Sequence, residues 1–271
     1  KDRTALYLLN GTPLREGQVL TEPTAGNTGI ALAALANARG MPIELALPDG
    51  TPEEKKALLR FLGAGLLEVE DELCPLFPTE GARGVVKSLV ESEAYNGRYV
   101  SPNQYENQLN VEAHYRTTGP EIWNQTGGEV DYFFAAFGTC GTITGVGRYL
   151  KERKPGVKII GIEPAQRQHR LSGCKKISNL PEEHRPKILD YSLLDDIVAV
   201  EDHEAFDAAI DLARSDGLMV GPTTGALLHA ARKLGADARG TAVVISPDDA
   251  TKYMSTYAAY LAEKESAQED R

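Results

Sequence analysis

Short apolar runs alternate with helix-spaced segments along almost the whole chain, and this alternation limits the fold more than any single residue does. Residues 18–21, 43–47, 66–70, 130–137, 158–163 and 241–246 read as buried strands. Between them, 27–39, 52–61, 110–124, 142–153, 202–215 and 224–234 carry apolar side chains at the spacing of one helix face. Such a succession joins parallel neighbours through crossover helices, so the expected class is α/β with mainly parallel sheets. Thr51-Pro52-Glu53-Glu54 marks one helix start, with a capping hydroxyl, a proline in the first turn and acids at the positive end. Residues 165–192 break the pattern with Pro181, Pro186 and many charges, and read as a long surface loop that would serve as a substrate lid. The polar stretch 263–271 reads as a frayed end. A seam near 104–110 divides a smaller N-terminal unit, 1–108, from a larger one, 109–271.

Of the 271 residues, 42% are apolar and 25% charged, enough to build one large core or two modest ones. The net charge of −10 argues against nucleic acid or an anionic membrane as partner. It leaves a small anion open, because a local nest of backbone N–H groups holds phosphate on an acidic protein as well as on a basic one. No apolar run approaches the ~18 residues of a membrane span, and no basic leader with an apolar core opens the sequence. Cys74, Cys140 and Cys174 are scattered without a C-x-x-C pair. Neither a disulfide framework nor a metal site is expected, and a reducing cytoplasm is the expected compartment. His114, His169, His184, His203 and His229 show no metal-ligand spacing, and His114 and Trp123 read as structural.

Three small-residue turns carry the chemistry. Phe137-Gly138-Thr139-Cys140-Gly141-Thr142 follows an apolar run and opens a helix. Glycine lets the backbone approach an anion, and a new helix offers unpaired N–H groups at its positive end. The pattern is neither a Walker loop nor a dinucleotide fingerprint, since the required lysine and glycine registers are absent. Glu22-Pro23-Thr24-Ala25-Gly26-Asn27-Thr28-Gly29 sits in the same strand-to-helix position, where its hydroxyls and amides either hold a carboxylate or cap the helix. Gly221-Pro222-Thr223-Thr224-Gly225-Ala226 again starts a helix with hydroxyl residues. Loops of this kind gather at the C-terminal edge of a parallel sheet, where ligands bind.

Taken in order, these turns resemble the fold-type II pyridoxal-phosphate (PLP) enzymes, of the tryptophan synthase β-like fold, and within them the cysteine synthase and cystathionine β-synthase family. Lys1-Asp2-Arg3 resembles the Schiff-base lysine segment and 24–29 the Thr-Ser-Gly-Asn-Thr-Gly substrate loop. Ser101-Pro102-Asn103-Gln104-Tyr105 and 113–122 resemble the central block. Residues 138–142 resemble the phosphate loop, 221–226 the Gly-x-Ser-Ser-Gly-Ala turn, and Ser246-Pro247-Asp248-Asp249 the terminal Pro-Asp segment. The resemblance implies two α/β domains with PLP in the cleft between them. Lys1 would hold the cofactor covalently and act as general base, Asn27 would bond its 3'-oxygen, and Gly138, Thr139, Cys140, Gly141 and Thr142 would bind its phosphate. Thr223 would face the ring nitrogen, where a neutral hydroxyl leaves the ring a weaker electron sink and favours loss of a β-substituent. Thr24, Ala25, Gly26, Thr28 and Gln104 would bind the substrate amino acid.

The implied activity is β-replacement of the cysteine synthase type: O-acetyl-L-serine or O-phospho-L-serine plus sulfide gives L-cysteine by way of an aminoacrylate, in a homodimer. Cystathionine β-synthase, L-cysteine desulfhydrase, serine/threonine dehydratase and a non-catalytic protein on the same fold stand as alternatives. The family carries a stretch ahead of the lysine, so the resemblance also implies that Lys1 lies inside a longer chain. Three departures stand out. Ala25 replaces a serine. Cys140 replaces a glycine, either as a small residue that fits a turn or as a redox-sensitive thiol. Cys174-Lys175-Lys176 follows a weakly matching segment, and reads as a solvated basic face or as a selector of a phosphorylated substrate. Glu53-Glu54-Lys55-Lys56 reads as an exposed helix face.

Overall fold

The computed structural model describes residues 1–24, 26–70, 79–234 and 238–269. Two four-stranded sheets, each with every pair parallel, organise the chain. The first contains β1 (Val19–Pro23), β2 (Ile43–Pro48), β3 (Gly65–Val69) and β4 (Tyr99–Val100), in the order β3-β2-β1-β4. The second contains β5 (Val130–Ala136), β6 (Lys158–Pro164), β7 (Asp196–Val200) and β8 (Thr241–Val244), in the order β7-β6-β5-β8. The α/β parallel-sheet class read from the sequence is what the chain adopts.

The two orders share one topology. In each sheet the chain steps outward over three strands, then returns to place its fourth strand on the free side of the first. The order therefore reverses beside β1 in one sheet and beside β5 in the other. Crevices at such reversals are where open parallel sheets bind ligands. The four segments that leave β1, β4, β5 and β8 contain Thr24–Thr28, Gln104, Gly138–Thr142 and Asp248 respectively.

The strand period decides which layer each residue joins. Phe133, Ala135 and Ile159 pack with Ile143, Val146 and Leu150 of α7 (Gly141–Arg153) on one face of the second sheet. Phe134, Ile160 and Ile162 pack on the other face with Phe206 of α8 (Asp202–Asp216) and Leu227 of α9 (Pro222–Arg232). Around the first sheet, Leu20, Ile43, Leu45 and Leu47 join Leu9 of α1 (Asp2–Asn10), Leu32 of α2 (Asn27–Ala38) and Leu59 of α3 (Glu53–Phe61). α4 (Gly81–Glu91) covers the remaining face through Ala82 and Val86.

Several sequence expectations are corrected. The helix expected over 110–124 is three pieces: α5 (Leu109–Ala113), a π-helical turn (His114–Thr118) and α6 (Gly119–Gln125). Such π turns are frequent at functional sites. Helix α3 starts at Glu53 with no side-chain cap, so Thr51 does not cap it. The 165–192 segment lacks long elements, as expected, but it does not lie wholly on the surface: Leu171, Cys174, Lys175, Ile177, Ile188 and Leu189 are buried. Lys55 and Lys56 are buried too, at 1% and 4% exposure, because each finds partners off its own helix. Lys56 Nζ reaches the Asp49 carbonyl (2.5 Å) and Glu68 Oε2 (2.7 Å), and Lys55 Nζ reaches Ser172 Oγ (3.1 Å). The polar end is helical through 269, and 270–271 lie outside the described residues: α10 (Met254–Glu269) seats Tyr257 and Tyr260 on the Phe206 ring.

Candidate active site

One cavity of about 500 Å³ lies where the segments leaving β1, β4, β5 and β8 meet. Lys1, Thr24, Gly26, Asn27, Thr28, Gln104, Gly138, Thr139, Cys140, Thr142 and Thr223 all line it. Gly141 does not line it, and Ala25 lies outside the described residues. Residues spread over more than two hundred positions are thus gathered around one space.

The turn after β5 is built to meet an anion. Cys140 is the N-cap of α7 and takes a left-handed conformation, φ 73°. No side chain caps the helix and its first turn holds no acid, so the leading N–H groups face the cavity end with their positive partial charge. Gly141 must lack a side chain, since a Cβ there would lie 2.1 Å from Asn110 Oδ1. Asn110, fully buried, ties the turn to its surroundings. Its Nδ2 donates to Thr139 Oγ1 (2.9 Å) and to the Gln104 carbonyl (2.8 Å), and its Oδ1 accepts from Thr4 (3.2 Å). The sequence reading missed Asn110; an asparagine opening a helix at the seam between the two halves was the available signal.

The turn after β1 takes up two of its own backbone donors. Thr24 Oγ1 accepts from the N–H groups of Gly26 (3.0 Å) and Gly29 (3.1 Å), the capping role weighed for this motif. Thr28 Oγ1 donates to Gln104 Oε1 (2.8 Å), and Gln104 Nε2 donates to the Pro23 carbonyl (2.8 Å). Beneath them Glu22 is completely buried. It accepts from Ser101 Oγ (2.8 Å) and from the backbones of Asn103 (3.0 Å) and Gln104 (2.8 Å), so it positions the turn that presents Gln104. Burial pushes its carboxyl up to about 7, against the pull of those hydrogen bonds and of Arg83.

Lys1 enters the cavity from the start of α1, which is held by the Arg3–Glu121 fork, with two contacts of 2.6 Å. Next to it His114 lines the cavity from the π turn, a placement its reading as a purely structural residue did not foresee. Its Nε2 lies 3.1 Å from both Thr4 Oγ1 and Thr142 Oγ1, and its Nδ1 lies 2.9 Å from Thr118 Oγ1. Burial, and then the positive charges of Lys1 and Arg3, push the imidazole down to about 3, so it is neutral at physiological pH. Residues 172–175 form another part of the wall. There Lys175, 5% exposed, places Nζ 4.4 Å from the centroid of the Tyr105 ring, whose environment also includes the Arg83 guanidinium at 4.3 Å. This corrects the reading of Lys175 as part of a solvated face. Thr223 Oγ1 lies 3.4 Å from Cys174 Sγ.

A cavity at the reversal points of two parallel sheets, lined by a lysine and by the uncapped start of a helix, is suited to a cofactor that carries a phosphate group. The chain belongs to the pyridoxal-phosphate dependent enzyme family, whose profile matches residues 1–248. It is 39% identical over 265 residues to a cysteine synthase of Aquifex aeolicus, covering 94% of this chain and 78% of that protein. Among solved structures it is similar to a hydrogen sulfide-producing enzyme of Fusobacterium nucleatum, with TM-score 0.77, 34% identity, and 94% and 78% of the two chains covered. It is also similar to an O-ureido-L-serine synthase, with TM-score 0.80, 30% identity, and 96% and 86% covered.

The residues present fit pyridoxal phosphate. The donor set at 138–142 suits a phosphate dianion, and the glycine at 141 allows the tight approach to Asn110. Among the described residues no helix is long and apolar enough to cross a membrane, and no group of three or more His, Cys, Asp or Glu is placed to hold a metal ion.

Proposed function

We propose that the chain catalyses β-replacement of the cysteine synthase type, in which sulfide takes the place of the acetate or phosphate group on Cβ of an activated L-serine and L-cysteine is released. The observation that carries this reading is the single cavity shared by Lys1, the uncapped start of α7, the substrate turn and Thr223. Bound pyridoxal phosphate supplies an electron sink that labilises the Cα proton and the β-substituent. The chain's own residues do the rest. Gly138, Thr139, Cys140, Thr142 and the N–H of Gly141 hold the phosphate. Thr223 gives the ring nitrogen a neutral hydroxyl partner. Thr24, Gly26, Thr28 and Gln104, with Ala25, take the substrate carboxylate, and Lys1 Nζ moves the Cα proton. Cleft burial excludes water from the reacting carbon.

Lys175 in the wall suits a substrate whose β-substituent is already charged when bound, which supports O-phospho-L-serine as an alternative to O-acetyl-L-serine. A desulfhydrase reading, in which cysteine is the donor and sulfide the product, is supported by the likeness to the hydrogen sulfide-producing enzyme. The same proposal makes the protein a cytoplasmic homodimer with a domain boundary at 108/109, between the end of β4 and the start of β5.

The test supplies the purified, PLP-loaded chain with O-acetylserine, O-phosphoserine, serine or cysteine, each with and without sulfide. Cysteine formed from an activated serine only when sulfide is present supports replacement. Sulfide, pyruvate and ammonia from cysteine alone would move the assignment to desulfhydration. Keto acid from serine without sulfide would make it a dehydratase. No turnover of any of the four would leave a non-catalytic protein on this fold.

A further inference from the structure

Lys55 is buried, yet the chemistry of the cavity does not use it. It sits in the first turn of α3, 1% exposed, and does not line the cavity. Its stem lies against the substrate turn. Gly26 takes φ 127° and ψ −65°, a conformation that needs glycine, and a Cβ there would lie 2.7 Å from Lys55 Cδ. The methylene chain therefore fills the place a side chain at 26 would take.

The head of Lys55 crosses to the elements of the second sheet. Nζ donates to Ser172 Oγ at 3.1 Å and lies 4.0 Å from the centroid of the Tyr253 ring, in the 3₁₀ turn Ala250–Tyr253. Ser172 lines the cavity, and the residues after it are docked on the β5 turn. The Lys175 N–H donates to the Phe137 carbonyl (2.7 Å), and a Cβ on Gly138 would lie 2.8 Å from the Gly173 carbonyl oxygen. Glu54 makes the same crossing, its Oε1 accepting from the N–H (3.0 Å) and Oγ (2.8 Å) of Ser255 on α10. Burial pushes the Lys55 ammonium down to about 8, against the pull of Asp248 and Glu54, so it carries its charge at neutral pH. Packing against Gly26 needs only the methylenes. An apolar side chain would supply that without the cost of burying an ammonium, so the charge must be explained by what Nζ meets.

We propose that Lys55 is a positioning residue that holds the substrate turn and the 172–175 wall at one spacing: the stem supports Gly26, and the ammonium ties that stem to Ser172. This rests on the reading of 24–28 as the substrate turn. On that reading the two ends of a bound amino acid meet the two surfaces that Lys55 joins, the carboxylate at 24–28 and the β-substituent at the wall. The spacing therefore acts on substrate affinity. Cofactor retention does not depend on it, because the wall stays docked on the β5 turn without Lys55.

The test is a double-mutant cycle on the PLP-loaded chain: wild type, Lys55→Met, Ser172→Ala and both together. Methionine keeps most of the stem and removes the ammonium. Lys55→Met is expected to raise KM for the amino acid the chain turns over about tenfold, the size of one hydrogen bond from a charged group, with kcat and the PLP Kd each within about twofold of wild type. Ser172→Ala should raise KM about fivefold, and the double variant should match Lys55→Met within about twofold, because both changes remove one contact. An unchanged KM in Lys55→Met, losses that multiply in the double variant, or a PLP Kd that weakens along with KM overturns the proposal. If Lys55→Met does not fold, Ser172→Ala decides by the same KM and Kd. If the wild type turns over no amino acid, the substrate reading is what fails, and amide hydrogen exchange in the chain without PLP decides the positioning claim. Exchange that quickens about tenfold in Lys55→Met at both 26–29 and 172–175 supports it, and either segment unchanged overturns it.

Discussion

The turns after β1 and β5 hold the same place in two sheets of the same topology, and neither N-cap residue caps its helix, yet in the first Thr24, two residues ahead of the N-cap, accepts two backbone N–H groups. In the β1 turn, side chains take up the backbone donors: Thr24 accepts two N–H groups, and Thr28 and Gln104 bond one another. In the β5 turn no side chain caps the helix, and the turn is fixed from behind by Asn110. The difference teaches how one topology yields two kinds of subsite. An uncapped helix start is a standing site for a permanent anion, suited to a resident phosphate. A turn that takes up its own donors gives up those hydrogen bonds only in exchange for others, which suits a substrate that comes and goes.

The largest test of this contrast is Gly141→Val. The new side chain would strike Asn110, itself held by three hydrogen bonds, and is expected to cost about 3 kcal/mol or more and to abolish cofactor retention. Chemical denaturation and PLP titration check both effects. A fully stable, PLP-binding variant would break the claim that the β5 turn is fixed through Asn110.

The base of the β1 turn gives a pH signature. Glu22 keeps its proton in the folded chain up to about 7, whereas an unfolded glutamate releases it near 4.5. Between those values the unfolded chain binds fewer protons, so this group lowers stability as pH rises, by up to roughly 3 kcal/mol in total. His114 acts in the opposite sense. Its folded pKa of about 3 lies below the unfolded 6.5, so stability falls as pH drops through that window. The two offset one another between about 4.5 and 6.5. Glu22→Gln should therefore expose the His114 slope there, measured as unfolding free energy against pH. An unchanged pH profile would contradict the buried-acid account of Gln104 positioning.

A smaller effect separates the two subsites in function. Thr28→Val removes the donor to Gln104 and is expected to raise the KM for the amino-acid substrate about tenfold, with the PLP Kd within twofold of wild type. Equal changes in both constants would erase the division of labour. Smallest is Cys140→Gly, which releases a left-handed non-glycine residue and should stabilise the chain by about 1 kcal/mol, read as a higher Tm.

Much of this was legible in the sequence, and the gaps have physical causes. The apolar runs that became β1, β2, β3, β5, β6 and β8 are long enough to show their period. β4 is two residues long, and β7 is an edge strand that begins at an acid, so neither stood out. α4 carries Gly81 and Gly84, which weaken a propensity reading, and the polar surface of α10 hid the Tyr257–Tyr260 spacing that docks it. Ordered motifs foretold the loops that meet at the cavity. They did not foretell Asn110, Glu22 or the buried Lys55, because each acts through partners distant in sequence, and local spacing carries no record of those.

Reduction of the PLP-loaded chain with borohydride, followed by peptide mass mapping, tests the central claim most directly. The account predicts one pyridoxyl adduct, on Lys1 Nζ, and its loss in Lys1→Ala. An adduct on Lys55, Lys175 or any other lysine, or none at all in a chain that binds PLP, would contradict it.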